Sequence, residues 1–323
     1  MKTIRFVLAC TLSVMAAQAS AQSADYPNRP VRVVVGFAPG GAADTVARIM
    51  SESFSKALKQ TIVVENKPGA GSSIAADYVV KAPADGYTLL IASPSSISIN
   101  PALNPGLTYT AKDLKAVTKI TTSPLVLAVS TKTDIHSVAD LIRIAKAKPD
   151  YLNYATSGNG SAPHLGAALF TLLTNTRMTH VPYRGGAPAI QSVMAGDTHL
   201  SFGTAPSVLA QAESGKLRPI AVSTKESSAL VPSLPGMREA GLPDYNLEFW
   251  YGIFVPANTP APVVQKIYDA AVIAMSDPKV KEGLAREGTE TSVSKSPEDF
   301  DEFLAKEDKF WVNLAKSADI AVN

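Results

Sequence analysis

Apolar positions along the chain come in two alternating kinds of run. Val31 to Phe37 is almost continuously apolar and β-branched, the pattern of a strand buried on both faces of a parallel sheet. Pro39-Gly40-Gly41 ends it. Val46, Ile49, Met50, Phe54 and Leu58 then recur at helical spacing, which predicts a helix with one buried stripe. Thr61 to Val64 reads as a second strand, Asn66 to Ser73 as a Pro/Gly loop, Ile74 to Val80 as a second helix and Tyr87 to Ala92 as a third strand. Strand–helix alternation of this kind predicts an α/β fold with a doubly wound, mostly parallel sheet flanked by helices.

The alternation restarts after an apolar strand at Leu125 to Val129. Ser137-Val138-Ala139-Asp140 has the form of a capping box opening a helix to about Ala147. Strands are expected at Leu152 to Ala155, His180 to Tyr183, Leu200 to Phe202 and Ile220 to Ser223, with helices at Ala162 to Leu173 and Ala187 to Met194. Ser227 to Asp244 is Pro/Gly-rich and reads as connection. A strand at Trp250 to Val255 and two helices, opened at Pro262 and at Ser296-Pro297-Glu298-Asp299, complete the chain. The second set is inserted into the first. Residues 22–126 plus 251–323 are assigned to lobe 1 and residues 127–250 to lobe 2. Chain crossings near Ser123–Val129 and Trp250–Val255 would act as a hinge beside a cleft.

The N-terminus changes the picture of where the protein works. Lys2 and Arg5, an apolar stretch from Phe6 to Ala17 and Ala19-Ser20-Ala21 have the layout of a secretory signal peptide, residues 1–21. Cys10, the single cysteine, falls inside it, so the mature chain offers no disulfide, thiol nucleophile or cysteine metal site. Lys and Arg exceed Asp and Glu by two, and two of the cations lie in the leader, so the mature chain is formally neutral. Nucleic acid is a poor partner for such a chain.

Three loops follow predicted strands and precede predicted helices, the place where α/β sheets bind ligands. Phe37-Ala38-Pro39-Gly40-Gly41-Ala42-Ala43-Asp44 brings glycines and free helix N-terminal amides, which favour an anion. No Gly-Lys-Ser/Thr follows, so this is not a P-loop. Asp44 is either a ligand contact or a first-turn carboxylate stabilising its own helix. Asn66 to Ser73 has Gly69 and Gly71 but lacks the third glycine of a dinucleotide fingerprint. Thr156-Ser157-Gly158-Asn159-Gly160-Ser161-Ala162-Pro163-His164 adds hydroxyls and glycines at a third helix start. Ser161 reads as a cap or a ligand contact, and His164 as a packed or capping histidine or a contact. Tyr183-Arg184-Gly185-Gly186 is a further glycine turn, whose Arg184 could pair with an anion or simply be solvated.

Together these segments resemble the Bug-type solute receptors of tripartite tricarboxylate transporters. The resemblance runs through Tyr26-Pro27, Val31 to Asp44, Glu65 to Gly71, Pro83 to Leu89, Tyr154 to His164, His180 to Gly186, Gly215 to Val222, Glu239 to Pro243 and Trp250 to Pro256. It implies a type II-like periplasmic-binding-protein clamshell that closes on a small organic acid through main-chain amides and ordered waters; with Gly203 where the family often has an acid, a mono- or dicarboxylate without an amine, aliphatic or aromatic, is expected. It also implies delivery to the permease subunits of a tripartite tricarboxylate transporter, a monomer, no cofactor and no enzyme activity. The ligand-binding set is taken as Phe37, Gly40, Gly41, Ala42, Asp44, Ser93, Thr156, Ser157, Gly158, Ser161, His164, Tyr183, Gly203 and Thr204. The family often carries an acid where this chain has Gly203, so Gly203 is expected to enlarge or neutralise the distal pocket. Ser72 stands for the third glycine of the second loop. Two other readings remain: a ligand sensor for a membrane signalling system, and an exported hydrolase built on Ser161 and His164. The hydrolase lacks a nucleophile elbow.

Overall fold

The computed structural model describes residues 26–212 and 214–317, so the expected leader lies outside the described residues. In chain order the elements are β1 (Val31–Val35), α1 (Ala42–Leu58), β2 (Ile62–Asn66), α2 (Ser73–Val80), β3 (Thr88–Ala92), α3 (Asn100–Leu103), β4 (Leu114–Ser130), α4 (Val138–Ala147), β5 (Asn153–Thr156), α5 (Ala162–Thr174), β6 (Thr179–Pro182), α6 (Gly186–Ala195), β7 (Leu200–Thr204), α7 (Ala205–Ala212), β8 (Leu217–Val222), β9 (Glu248–Pro256), α8 (Ala261–Ser276), α9 (Pro278–Arg286), β10 (Glu290–Thr291) and α10 (Pro297–Ser317). A short 3₁₀ turn covers Ala70–Ser72 and a π-helical turn covers Ser95–Ile99.

One curled sheet runs β2-β1-β3-β9-β4-β7-β5-β6, with β8 and β10 also paired to β4. β4 organises it. Leu114 to Pro124 pair antiparallel with β9, and Leu125 to Ser130 pair antiparallel with β7 and β8. One continuous strand thus pairs with β9 over its first half and with β7 and β8 over its second. The outer strands are parallel, β1 with β2 and β3, and β5 with β6 and β7. The sheet is therefore mixed where a mostly parallel one was expected. β4 and β9 run in opposite directions, and every strand paired with either of them runs antiparallel to it.

Strands β1, β3 and the second half of β4 bury apolar side chains on both faces, as their almost continuous apolar runs require, with Arg32 of β1 left exposed. Five elements escaped the pattern: the short α3 and β10, the first half of β4, α9 and α7. The first half of β4 is interrupted by Lys115, Thr118, Lys119, Thr121 and Thr122, and it is a strand because β9 lies alongside it. α9 buries only Val280 and Leu284 and is set by the Asp277 carboxylate, which accepts from the Lys279 amide at 2.9 Å. α7 follows β7 without a break. The tryptophans anchor α10: Trp250 and Trp311 are buried, and their indole N–H groups both donate to Glu307 Oε2, at 3.0 and 2.8 Å.

Candidate functional site

The loops at the carboxyl ends of β1, β2 and β3 face those at the ends of β5 and β6, and the lobes meet there. A pocket of about 200 Å³ lies between Gly36, Phe37 and Gly69–Ser72 on one side and Ser157–Asn159 and Pro182–Arg184 on the other. The walls approach backbone to backbone. A Cβ at Gly71 would sit 2.6 Å from Asn159 O, and one at Gly185 would sit 3.2 Å from Ala38 N. Glycine at these points is what allows the lobes to touch.

The first loop spends part of its donor set on itself. Gly40 N donates to Asp44 Oδ2 at 3.0 Å, and Gly41 N donates to Ala38 O at 3.2 Å. Arg48 Nε also donates to Asp44 Oδ2, and Asn66 Nδ2 donates to Asp44 Oδ1 and to Phe37 O. Burial alone would raise the Asp44 carboxyl, but hydrogen bonds from Arg48, Gly40 and Asn66 hold it below its ordinary range. Asp44, the only buried Asp, Glu, Lys or Arg among the described residues, therefore ties the glycine turn to α1 and β2. Of the two readings open for it, the structure favours the first-turn carboxylate. The first-turn amides of α1 have no intrahelical acceptor and lie at the positive end of a 17-residue helix.

The lobe 2 loop is braced by histidines. Gly160 N donates to His164 Nδ1 at 3.2 Å, and Thr156 Oγ1 lies 2.6 Å from His180 Nε2. Burial, then the neighbouring His180, lowers His164 to about 3, and burial lowers His180 to about 4. Its burial and its bond to the Gly160 amide favour the packed, capping reading of His164. Ser161 occupies the N-cap position of α5, yet its hydroxyl caps nothing and is buried without a partner. Tyr183 turns its hydroxyl into lobe 2, to Ser192 Oγ at 2.6 Å. Arg184 is exposed at the pocket mouth.

Two expectations about β7 separate. Thr204 Oγ1 donates to Ser207 Oγ at 3.1 Å, and both hydroxyls lie against Gly186 at the start of α6. Gly203 does not open a distal pocket. A Cβ there would point into the lobe 2 core, 2.6 Å from Val208 Cγ2 and 3.0 Å from Ile190 Cδ1. Strand alternation decides this: Gly203 pairs with Val126, whose side chain lies in the same apolar cluster.

Buried polar atoms without a partner mark the surface that the sequence only partly revealed. They are the hydroxyls of Ser72, Ser93, Ser95, Ser96 and Ser161 and Asn100 Oδ1. All six come from segments after β2, β3 and β5, on the side where the lobes meet. Ser93 and Ser161 were among the expected residues. Ser72, Ser95, Ser96, Asn100 and Ser207 were not, although the hydroxyl-rich run Ser93-Pro94-Ser95-Ser96 directly after a buried strand was a legible signal. Among the described residues no three His, Cys, Asp or Glu side chains converge as metal ligands, and no helix is long and apolar enough to cross a membrane.

Comparison with known proteins agrees with this geometry. The model of the tripartite tricarboxylate transporter family receptor matches residues 46–320. An R. palustris protein solved with adipate is 34% identical and superposes with a TM-score of 0.88 over 92% of this chain and 99% of its own. The periplasmic binding protein BugD is 29% identical, with a TM-score of 0.86 over 92% of this chain and 99% of its own. MatC from Rhodopseudomonas palustris, solved with bound malate, is 30% identical, with a TM-score of 0.84 over 90% of this chain and 99% of its own. The chain belongs to the tripartite tricarboxylate transporter family of receptors, the Bug-type group that its loops resemble.

Proposed function

We propose that this protein is an exported periplasmic receptor that captures a small organic acid between its lobes and hands it unchanged to a tripartite tricarboxylate permease. One observation carries the reading. The segments that follow β2, β3 and β5 hold five buried serine hydroxyls and one amide oxygen with no protein partner, while the one buried ionised side chain among the described residues is already neutralised by Arg48. Buried polar groups of this kind are normally satisfied, so a polar guest or its waters belong there. Neutral hydroxyls and helix-start amides suit a carboxylate, which each donor binds through a charge-assisted hydrogen bond. Adipate and malate in the related structures belong to the same chemical class.

Asp44 is committed to three donors, and no other buried carboxylate is present among the described residues to receive an ammonium group. Amine-free acids are therefore the favoured guests. Calorimetric titration with a panel of C4 to C6 dicarboxylates, aromatic acids and amino acids tests this, together with mass spectrometry of ligand that co-purifies. Stoichiometric binding of an amine-free acid, recovered intact, supports the proposal. Tight binding of aspartate or glutamate alone, or turnover of the bound molecule, would overturn it.

A further inference from the structure

Asn100 sits at the first turn of α3, 1% exposed, and its side-chain amide reaches both halves of the interlobe junction. Its Nδ2 donates to Ala70 O at 3.0 Å, to Gly71 O at 3.3 Å and to Ser73 Oγ at 2.8 Å. The turn it holds is unusual. Gly69, Ala70, Gly71 and Ser72 all have positive φ, at 134°, 47°, 58° and 76°, and two of the four carry side chains. Residues with a Cβ adopt that region only when their surroundings impose it. With two N–H groups shared among these three acceptors, Asn100 ties down two carbonyls of the turn and the residue after it, on either side of the unpartnered Ser72 hydroxyl.

The other side of the same amide receives lobe 2. A Cβ at Gly160 would collide with Asn100 Oδ1, and its next neighbour would be Ile99 Cγ2 at 3.3 Å. Gly158 likewise abuts Gly71, with its Cβ position 3.5 Å from Gly71 N. Asn100 Oδ1 is buried and has no partner. Gly160 is followed directly by Ser161, the lobe 2 residue with an unpartnered buried hydroxyl. One side chain therefore shapes the lobe 1 turn and provides the seat on which the lobe 2 turn lands.

We propose that Asn100 is a positioning residue for capture: it presets the Ala70–Ser73 turn and seats Gly160, so the cleft seals only when these two turns meet. This rests on the clamshell reading above, but it makes a separate claim, that retention of the guest is set at a contact that need not touch it. The effect belongs on release and on closure, with the fold of each lobe unchanged.

Disulfide trapping reads closure without any ligand. In the full chain with Cys10→Ser, Ala70→Cys and Asn159→Cys are placed on the two turns, and the rate of bridge formation is measured. The parent pair is expected to bridge readily. Asn100→Ala and Gly160→Val should each slow bridging about tenfold, equivalent to ~1.4 kcal/mol against the closed state. Ile273→Ala, on the exposed face of α8, should leave the rate unchanged. Should Gly160→Val fail to fold, Gly160→Ala meets the same collision with a smaller side chain. Adipate and malate then serve as guests in stopped-flow measurements, where the variants should speed dissociation and spare association. Unchanged bridging in both variants, or an effect confined to association, overturns the proposal. Slowed bridging in a protein that binds neither acid leaves the junction standing and counts against the carboxylate reading alone.

Discussion

The imidazole of His164 lies face to face with that of His180, 3.8 Å between ring centroids, and the Tyr154 ring packs beside the pair, 5.1 Å from His180 and 6.2 Å from His164. The pair forms the base of the Thr156–Ser161 loop. Each ring also holds a loop atom, His164 the Gly160 amide and His180 the Thr156 hydroxyl. Both must stay neutral for this arrangement to persist.

Acid should therefore weaken the fold through this pair. The folded-state values, about 3 for His164 and about 4 for His180, lie below the ordinary 6.5, so the unfolded chain binds more protons between those limits. The stabilisation is complete above about pH 6.5 and is lost as pH falls toward 4, by ~1.4 kcal/mol per pH unit for each histidine. Denaturant melts between pH 7.5 and 4 should show this slope in the parent protein. A double variant, His164→Phe with His180→Phe, should show a flatter profile. Parallel profiles would assign the acid sensitivity to other groups.

Gly41 precedes α1, and its Cβ position lies 3.2 Å from Ala38 O and 4.0 Å from Gly186 N across the cleft. The branched γ-carbons of Gly41→Val would press on the start of α6 and mask the Ala42 amide. Loss of one charge-assisted bond costs about 1.5–3 kcal/mol. Calorimetry with an acid that binds the parent should show affinity reduced about tenfold or more. Unchanged affinity in a folded variant would place the anion elsewhere.

Gly203 makes a prediction about stability, and none about ligand choice. Gly203→Ala should cost about 1–3 kcal/mol by overpacking against Val208 and Ile190. Gly203→Asp should cost more, because it forces a carboxylate into an apolar core. Denaturant unfolding measures both, and acid preference in the Ala variant should match the parent. A stable Asp variant with altered preference would restore Gly203 to the ligand pocket.

Glu307 satisfies two buried indoles at once. Glu307→Leu leaves the N–H groups of Trp250 and Trp311 unpaired in a dry environment. The expected loss is about 2–4 kcal/mol, taking 1–3 kcal/mol for each stranded donor and allowing for partial relaxation. Glu307→Gln keeps an acceptor and should recover part of it.

The sequence by itself determined where chain becomes strand, where it turns and which turns precede helices. Apolar runs such as Val31 to Val35 and Leu125 to Val129 can only be stable when covered on both faces, and Gly40, Gly71, Gly158 and Gly160 sit where positive φ is required. Those features are local, so they are legible one segment at a time. Tertiary structure alone decided which polar groups remain available. For Asp44 and His164 the sequence left a structural role and a ligand contact both open, and only the fold shows that Arg48 and Asn66 engage Asp44, Gly160 engages His164 and Ser192 engages Tyr183. Ser72 was singled out only as standing for a glycine, and Ser95, Ser96 and Asn100 were not singled out; the fold leaves each of the four with a buried atom unpartnered. The direction of Gly203 depended on its register against Val126, 77 positions earlier in the chain. A hydrogen bond or a Cβ contact is made with whatever lies nearest in space, and the neighbours that settle this site come from strands and helices far apart in sequence.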